Sequence, residues 1–114
     1  AGQGALGIEI CSARADVAQA LAPLVDMPTW LRVAAERAVS RTLGGSCSVP
    51  LAAFAEWAGD GQLRVRAAWG DPTGQLPLLR SEVHAAVSDL DAAERLGAQA
   101  AQALLEQGAQ VAQP

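Results

Sequence analysis

The sequence contains no lysine, and all eight of its basic residues are arginines. The net charge is -4, and residues 47–114 carry the whole imbalance, with eight acidic residues against four arginines. An acidic chain without lysine is poorly suited to binding nucleic-acid phosphates, because that binding depends on clustered cationic side chains. No apolar run approaches the roughly 20 residues that span a membrane, and no basic segment precedes an apolar one as in a secretory signal.

Cysteine and histidine, the usual zinc ligands, are also scarce. The sequence contains only Cys11, Cys47 and His84. The two cysteines lie 36 positions apart and form no CxxC pair, so these residues cannot complete a four-ligand zinc site. The cysteine usage is typical of a reducing, cytoplasmic compartment. The chain begins with Ala1 rather than methionine, and we expect it to be a piece of a longer protein.

The first 25 residues have the pattern of a strand followed by a helix. Apolar and small residues alternate over residues 4–11, which predicts a strand, and Ser12 can cap the helix after it. Pro23 is expected to end or kink that helix, because proline lacks the amide that a helix interior needs. We place the boundary between two structural units at residues 24–28.

A second helix is predicted to begin near Pro28, which suits a first helical turn, and to end at Gly44 and Gly45. Its apolar stripe is expected to be buried and consists of Leu31, Ala34, Ala35, Ala38, Val39, Thr42 and Leu43. Its charged residues are expected mostly on other faces, and they are Arg32, Glu36, Arg37 and Arg41.

Three segments between residues 51 and 84 alternate as strands do, and short turns separate them. Short turns between successive strands predict antiparallel pairing, with one face of the sheet in contact with solvent. The third segment contains Pro77 and is expected at an edge of the sheet. Trp57 and Trp69 are expected to face the core.

Arg64 and Arg66 are expected on the solvent-facing side of the sheet, where they can pair with Glu56. A last helix is predicted to start at residues 88–91, which resemble a capping box, and to end at Gly108. Its expected buried stripe is Leu90, Ala93, Leu96, Gly97, Ala100 and Leu104. The pattern predicts an α+β fold, a three-stranded antiparallel sheet with two helices packed on one face, preceded by a strand and a helix.

The most informative segment is the loop after the second helix, LGGSCSVP at residues 43–50. Gly44 and Gly45 precede Cys47, and glycine backbones can take positive φ and lie close to a bound group because they lack Cβ atoms. Pro50 then fixes the direction in which the loop leaves. On spacing alone, a lone cysteine is more often a small buried or idle thiol. This arrangement nevertheless suits a cysteine that carries a covalently bound group.

Several segments, in register, resemble the C-terminal third of porphobilinogen deaminase, also called hydroxymethylbilane synthase. They are GQGALGIE at residues 2–9, AERA at 35–38, LGGSCSVP at 43–50, DAAERLG at 91–97 and LLEQGA at 104–109. Each segment is short, but their shared order over nearly all of the chain is specific. The family commonly has two glycines directly before the cysteine, where this sequence has Gly45 and Ser46.

The resemblance implies a three-domain cytoplasmic transferase of tetrapyrrole and haem biosynthesis. Such enzymes join four porphobilinogen molecules, release ammonia at each step and finally release hydroxymethylbilane. The resemblance also implies a dipyrromethane cofactor bound through a thioether to Cys47, with Gly45 and Ser46 beside it and Gln3 and Gly4 next to the bound pyrroles. Residues 1–25 would close the middle domain, and residues 26–114 would form the C-terminal cofactor-attachment domain.

The resemblance further implies that the general acid and most arginines that bind pyrrole carboxylates lie in earlier domains. This piece alone would then have no catalytic residue, would be inactive and would lack the cofactor. The implied partners are porphobilinogen, the growing polypyrrole chain and the missing N-terminal and middle domains, with neither nucleic acid nor membrane.

Two other interpretations stay open at the level of sequence. The order α-β-β-β-α is also that of double-stranded RNA-binding domains. Those domains place lysines at the start of the last helix, where this sequence has acidic residues at positions 89 and 91. A protein-interaction module without chemistry of its own is the other possibility.

Overall fold

A computed structural model describes residues 13–44, 50–71 and 73–110 of the chain. In chain order the elements are helix α1 (Ala15–Leu21), a 3-10 turn (Ala22–Leu24), helix α2 (Met27–Thr42), strands β1 (Leu51–Gly59), β2 (Gln62–Trp69) and β3 (Leu79–Ala86), and helix α3 (Leu90–Gln107). The predicted α+β class is confirmed, and so is the predicted order of elements from the first helix onward. The strand predicted at residues 4–11 lies outside the described residues.

The three strands form one antiparallel sheet in the order β1-β2-β3. A tight turn joins β1 to β2, and its residues Gly59, Asp60 and Gly61 all have positive φ. The predicted alternation is confirmed, because the inner side chains of β2 are buried, namely Leu63, Val65, Ala67 and Trp69. Strand β3 begins just after Pro77 and lies at an edge of the sheet, as predicted.

Helices α2 and α3 cover one face of the sheet and pack closely against each other at Gly97. A Cβ atom at Gly97 would overlap the carbonyl oxygen of Ala35 and lie 2.8 Å from the Cβ of Ala38. The predicted stripes of both helices are otherwise buried, apart from the half-buried Thr42 and the first residue of α3, Leu90, which is exposed. The prediction is wrong for Leu90, which is 39% exposed at the first position of α3, whereas Ala93 in the same turn is fully buried.

Glu36 also differs from the prediction, which places it outside the buried stripe of α2. Its side chain is only 7% exposed, and its Oε2 atom accepts a hydrogen bond of 2.8 Å from the backbone amide of Ala55. Strand β1 is an edge strand, so its outward amides need partners that the sheet cannot supply. The prediction is wrong because helical periodicity contains no signal of a partner on a strand 19 residues away.

The outer face of the sheet carries a network of ion pairs. Arg66 Nε lies 3.0 Å from Glu82 Oε1 and Arg66 Nη2 lies 3.5 Å from Glu56 Oε1, while Arg64 lies 3.7 Å from both carboxylates. Pairing with Glu82 raises the pKa of Arg66 above its ordinary value, and the hydrogen bond from Arg66 lowers the pKa of Glu82. The predicted pairing of both arginines with Glu56 is confirmed.

Helix α1 stands apart from this two-layer body. None of its seven residues is buried, and within the described ranges the 3-10 turn is the only element that contacts it. The break expected at Pro23 is present, since α1 ends at Leu21 and the 3-10 turn follows. Exposed apolar side chains continue from this break into α2, and they are Leu24, Val25, Met27 and Trp30. No helix in the described part of the chain is long and apolar enough to cross a membrane.

Candidate functional site

The residues predicted to hold the cofactor lie outside the described parts of the structure. Cys47, Gly45 and Ser46 belong to residues 45–49, and Gln3 and Gly4 belong to residues 1–12. Their arrangement therefore stays a prediction. We call residues 43–50 the cysteine loop. The structure does define both of its ends and the neighbours of those ends. We call this set the loop base, and its residues are Leu43, Gly44, Pro50, Trp69, Gly70 and Asp71.

The cysteine loop leaves helix α2 through a well-defined C-terminus. Leu43 is fully buried, and its amide donates to the carbonyl of Val39 at 3.2 Å. Gly44 follows with φ 67, and its amide donates to the carbonyl of Arg41 at 3.2 Å. A residue with a Cβ atom would be strained at this φ, which explains why glycine ends the helix. The predicted stop at Gly44 is confirmed.

The loop returns to the sheet at Pro50, which extends the pairing of β1 with β2 by one further bond. The carbonyl of Pro50 accepts a hydrogen bond of 2.7 Å from the amide of Gly70. A Cβ atom at Gly70 would lie 3.1 Å from the Cβ of Pro50, so the absence of a side chain lets the two backbones approach. The strand end of the loop is therefore held by backbone contact as well as by the fixed φ of proline.

Both ends of the loop lie at the same end of the domain, because α2 runs antiparallel to β1. Glu36 near the middle of α2 meets Ala55 near the middle of β1. At the start of α2, the carbonyl of Pro28 accepts a hydrogen bond of 3.1 Å from Trp57 Nε1 near the end of β1. The end of α2 and the start of β1 must then be close together. Trp57 packs partly buried against the core, in agreement with the prediction.

Trp69 forms the floor of the loop base. It pairs with Leu51 at the start of β1 and with Leu79 at the start of β3, and its side chain is 2% exposed. The predicted core position is confirmed. Its Nε1 atom forms no hydrogen bond in the described part of the molecule, which is uncommon for a buried indole. No sequence signal distinguishes this tryptophan from an ordinary core anchor.

Asp71 organises the connection that leaves β2 beside Pro50. Its carboxylate accepts hydrogen bonds from the Thr73 amide at 2.9 Å, the Thr73 hydroxyl at 2.7 Å, the Gln75 amide at 3.0 Å and the Leu76 amide at 2.9 Å. These donors, with the Thr73 hydroxyl foremost, lower the pKa of Asp71 below its ordinary value. The sequence predicts a turn at this place, but not that one side chain holds four donors.

The loop base can fix the position of a bound group but offers little acid–base chemistry. Its one titratable side chain, Asp71, is engaged by the turn that it organises. Among the described residues, no group of three or more His, Cys, Asp or Glu side chains could hold a metal ion. What the described geometry provides is a rigid origin for the segment that contains the thiol.

Comparison with known proteins gives this geometry a context. A family profile described as "Porphobilinogen deaminase, C-terminal domain" matches residues 30–106. The porphobilinogen deaminases of Albidiferax ferrireducens, Ralstonia nicotianae and Paraburkholderia phytofirmans are 61%, 55% and 51% identical to the chain. The alignments cover 89%, 96% and 96% of the chain but only 32%, 32% and 31% of these relatives. The chain thus spans about a third of the length of the curated relatives that it matches.

The profile match identifies the two-layer body of sheet and helices as a C-terminal domain of the porphobilinogen deaminase type. The chain belongs to the porphobilinogen deaminase family, as its sequence segments predict. An RNA-binding or protein-interaction module with the same order of elements is not favoured by these matches.

Proposed function

We propose that the whole protein is a hydroxymethylbilane synthase and that this chain provides its cofactor-attachment domain. The reaction joins four porphobilinogen units into hydroxymethylbilane and releases ammonia, a step of tetrapyrrole and haem biosynthesis that we assign to the cytoplasm. The observation that carries the proposal is the family match, which includes most of α2, the cysteine loop and the entire sheet. The activity is proposed for the whole protein, because the chain spans only about a third of its relatives.

Cys47 is the proposed point of attachment for the dipyrromethane cofactor. A cysteine thiolate is a strong nucleophile toward an electrophilic pyrrolylmethyl carbon. The thioether S–C bond would form as the C–N bond of the pyrrolylmethyl amine breaks, and the thiol proton would leave with the released ammonia. Gly45 and Ser46 are proposed to flank the attached group, and Gln3 and Gly4 to contact its pyrroles. When bound, the dipyrromethane supplies the primer to which porphobilinogen units are added.

The loop base supports this role, because a tether for a growing chain needs a fixed origin. Leu43 is fully buried on the helix side, and Pro50 is hydrogen-bonded to Gly70 on the strand side. These two anchors fix where the segment that contains Cys47 begins and ends. The general acid and the arginines for the pyrrole carboxylates are proposed to lie in the other two thirds of the protein. The chain alone is therefore expected to be inactive and to lack the cofactor.

Peptide mapping of the full-length protein tests the proposed attachment. We expect an intact mass above the sequence mass by two pyrrole units, and a digest that assigns the increment to the peptide containing Cys47. The increment should persist under thiol reductants, because a thioether is not reduced as a disulfide is. Active protein without any increment, or an increment on the Cys11 peptide, would contradict the proposal.

We also propose that residues 1–25 belong to the middle domain and residues 26–114 to the C-terminal domain. Helix α1 contributes no buried residue to the two-layer body. Its ion pair between Arg14 and Asp16, at 2.9 Å, is exposed and local. The exposed apolar surface from Leu24 to Trp30 then marks where the preceding domains are proposed to pack.

Removal of residues 1–25 from the 114-residue chain tests this division. We expect residues 26–114 to unfold cooperatively with a free energy within about 0.5 kcal/mol of the longer chain, because residues 13–25, the part of the removed segment that the structure describes, contribute no buried side chain to the core. Thermal unfolding followed by circular dichroism measures the difference. A midpoint lowered by more than roughly 5 °C, which corresponds to about 1 kcal/mol in a domain of this size, would show that residues 1–25 are part of the same unit.

A further inference from the structure

The outer face of the sheet is arranged in rows that cross all three strands. The register of the two strand pairs gives three such rows: Ala52 with Ala68 and Arg80, Phe54 with Arg66 and Glu82, and Glu56 with Arg64 and His84. The third row is wholly polar. The first row has two alanines beside one arginine. Because alanine side chains are short, the outer surface of the sheet is recessed there.

An open cavity of about 480 Å³ lies over the first two rows. The small side chains of Ala52 and Ala68 form its floor, and Phe54, Arg66, Arg80 and Glu82 line it around them. The Glu82 carboxylate is paired with Arg66 at 3.0 Å. We call this cavity the alanine trough. Its volume is within the range of small-molecule sites. Phe54 is 51% exposed beside it, so part of its aromatic side chain is available for contact.

The charges around the alanine trough do not cancel. Arg64 and Arg66 are balanced by Glu56 and Glu82 through the ion pairs on this face. Arg80 has no carboxylate within 4.0 Å among the residues that the structure covers, and its side chain is exposed. The outer face therefore has one unbalanced positive charge at the trough, on a chain whose net charge is -4.

We propose that the alanine trough binds a small planar aromatic carboxylic acid. The flat alanine floor accepts a ring, Phe54 offers it an aromatic edge or face, and Arg80 offers the carboxylate a bidentate pair of N–H donors. Arg66 is already held by Glu82, so Arg80 is the guanidinium available to the ligand. This proposal does not depend on the proposed activity of the whole protein, because it uses only the outer face of the sheet.

Titration of the full-length protein with 2-naphthoate, followed by amide NMR, tests the proposal. We expect saturable shifts at the amides of Ala52, Phe54 and Ala68, with a dissociation constant of about 1 mM, as is usual for a ligand of this size. The neutral analogue 2-naphthylmethanol and the non-aromatic cyclohexanecarboxylate should each bind at least about fivefold more weakly. No saturable shift at these residues up to 10 mM 2-naphthoate, or equal binding of the neutral analogue, would overturn the proposal.

Two variants distinguish specific binding in the trough from non-specific electrostatic attraction of the anion to the protein surface. Arg80→Gln should weaken 2-naphthoate binding about tenfold through loss of a charge-assisted hydrogen bond. Ala68→Leu keeps every charge but fills the floor and should abolish binding. The control is Arg95→Gln, which removes the same charge from the exposed surface of α3 and should leave the affinity unchanged. An equal loss in Arg95→Gln and Arg80→Gln, or retained affinity in Ala68→Leu, would refute a site in the trough.

Discussion

Full-length protein with Cys47→Ala is expected to carry no covalent pyrrole group and to show no measurable turnover of porphobilinogen. The reason is chemical, because alanine offers no nucleophile to form the thioether and no other side chain of the loop replaces it. The expected loss is complete rather than partial, since without the tether the growing chain has no fixed origin. Intact mass and the initial rate of ammonia release measure the two effects.

The control for this prediction is the same substitution at the only other cysteine of the chain. Cys11→Ala should retain both the mass increment and the turnover. Cys47→Ser adds a second comparison, because it preserves size while its hydroxyl is a much weaker nucleophile at neutral pH. If Cys47→Ala kept both adduct and turnover, the attachment would lie elsewhere and the role given to the cysteine loop would be wrong.

Loss of folding is not expected to explain the result. The ends of the loop are held by contacts among described residues, namely the amides of Leu43 and Gly44 on carbonyls of α2 and the amide of Gly70 on the carbonyl of Pro50. We therefore expect the unfolding free energy of Cys47→Ala to remain within about 0.5 kcal/mol of the unmodified protein. Near-UV circular dichroism, dominated by tryptophans such as Trp69, reports on packing at the loop base.

The elements of this fold could be predicted because their signals are local. Apolar spacing located α2 and α3, alternation located the three strands, and glycine or proline located the breaks at Pro23 and Gly44. Short turns between the strands then required antiparallel pairing, and the two helical stripes could be buried only on one face of the sheet. The predicted pairs between Glu56 and the arginines of β2 followed from cross-strand register.

The parts that could not be predicted depend on partners far away in the sequence. The burial of Glu36 depends on an unpaired edge amide of Ala55, and the importance of Gly70 depends on the approach of Pro50. The sequence pattern around Glu36 or Gly70 contains no signal of either partner. The same reason explains why residue types and resemblance identify the loop but not the loop base, including a Trp69 whose Nε1 forms no hydrogen bond with any described residue.

Gly97→Ala is expected to destabilise the chain, although the same change stabilises most helices. In an exposed helix interior, alanine is favoured over glycine by about 1 kcal/mol. At Gly97 a Cβ atom would overlap the backbone oxygen of Ala35 and lie 2.8 Å from the Cβ of Ala38. A backbone oxygen cannot rotate away as a side chain can, so α2 and α3 must move apart. Overpacking of this kind typically costs about 1–3 kcal/mol, and we expect a loss near the upper end.

Chemical denaturation of the 114-residue chain measures this loss, and the exposed position Gln102 on the same helix supplies the control. At this position the Gln102→Ala protein should be more stable than the Gln102→Gly protein by about 1 kcal/mol. This preference for alanine has the opposite sign from the one expected at position 97. The thermal midpoint of Gly97→Ala should fall by roughly 10 °C or more. Gly97→Ala protein as stable as the original would mean that the two helices have freedom to separate. The close helix contact behind the sheet would then not be what holds the end of α2, and with it the start of the cysteine loop, in place.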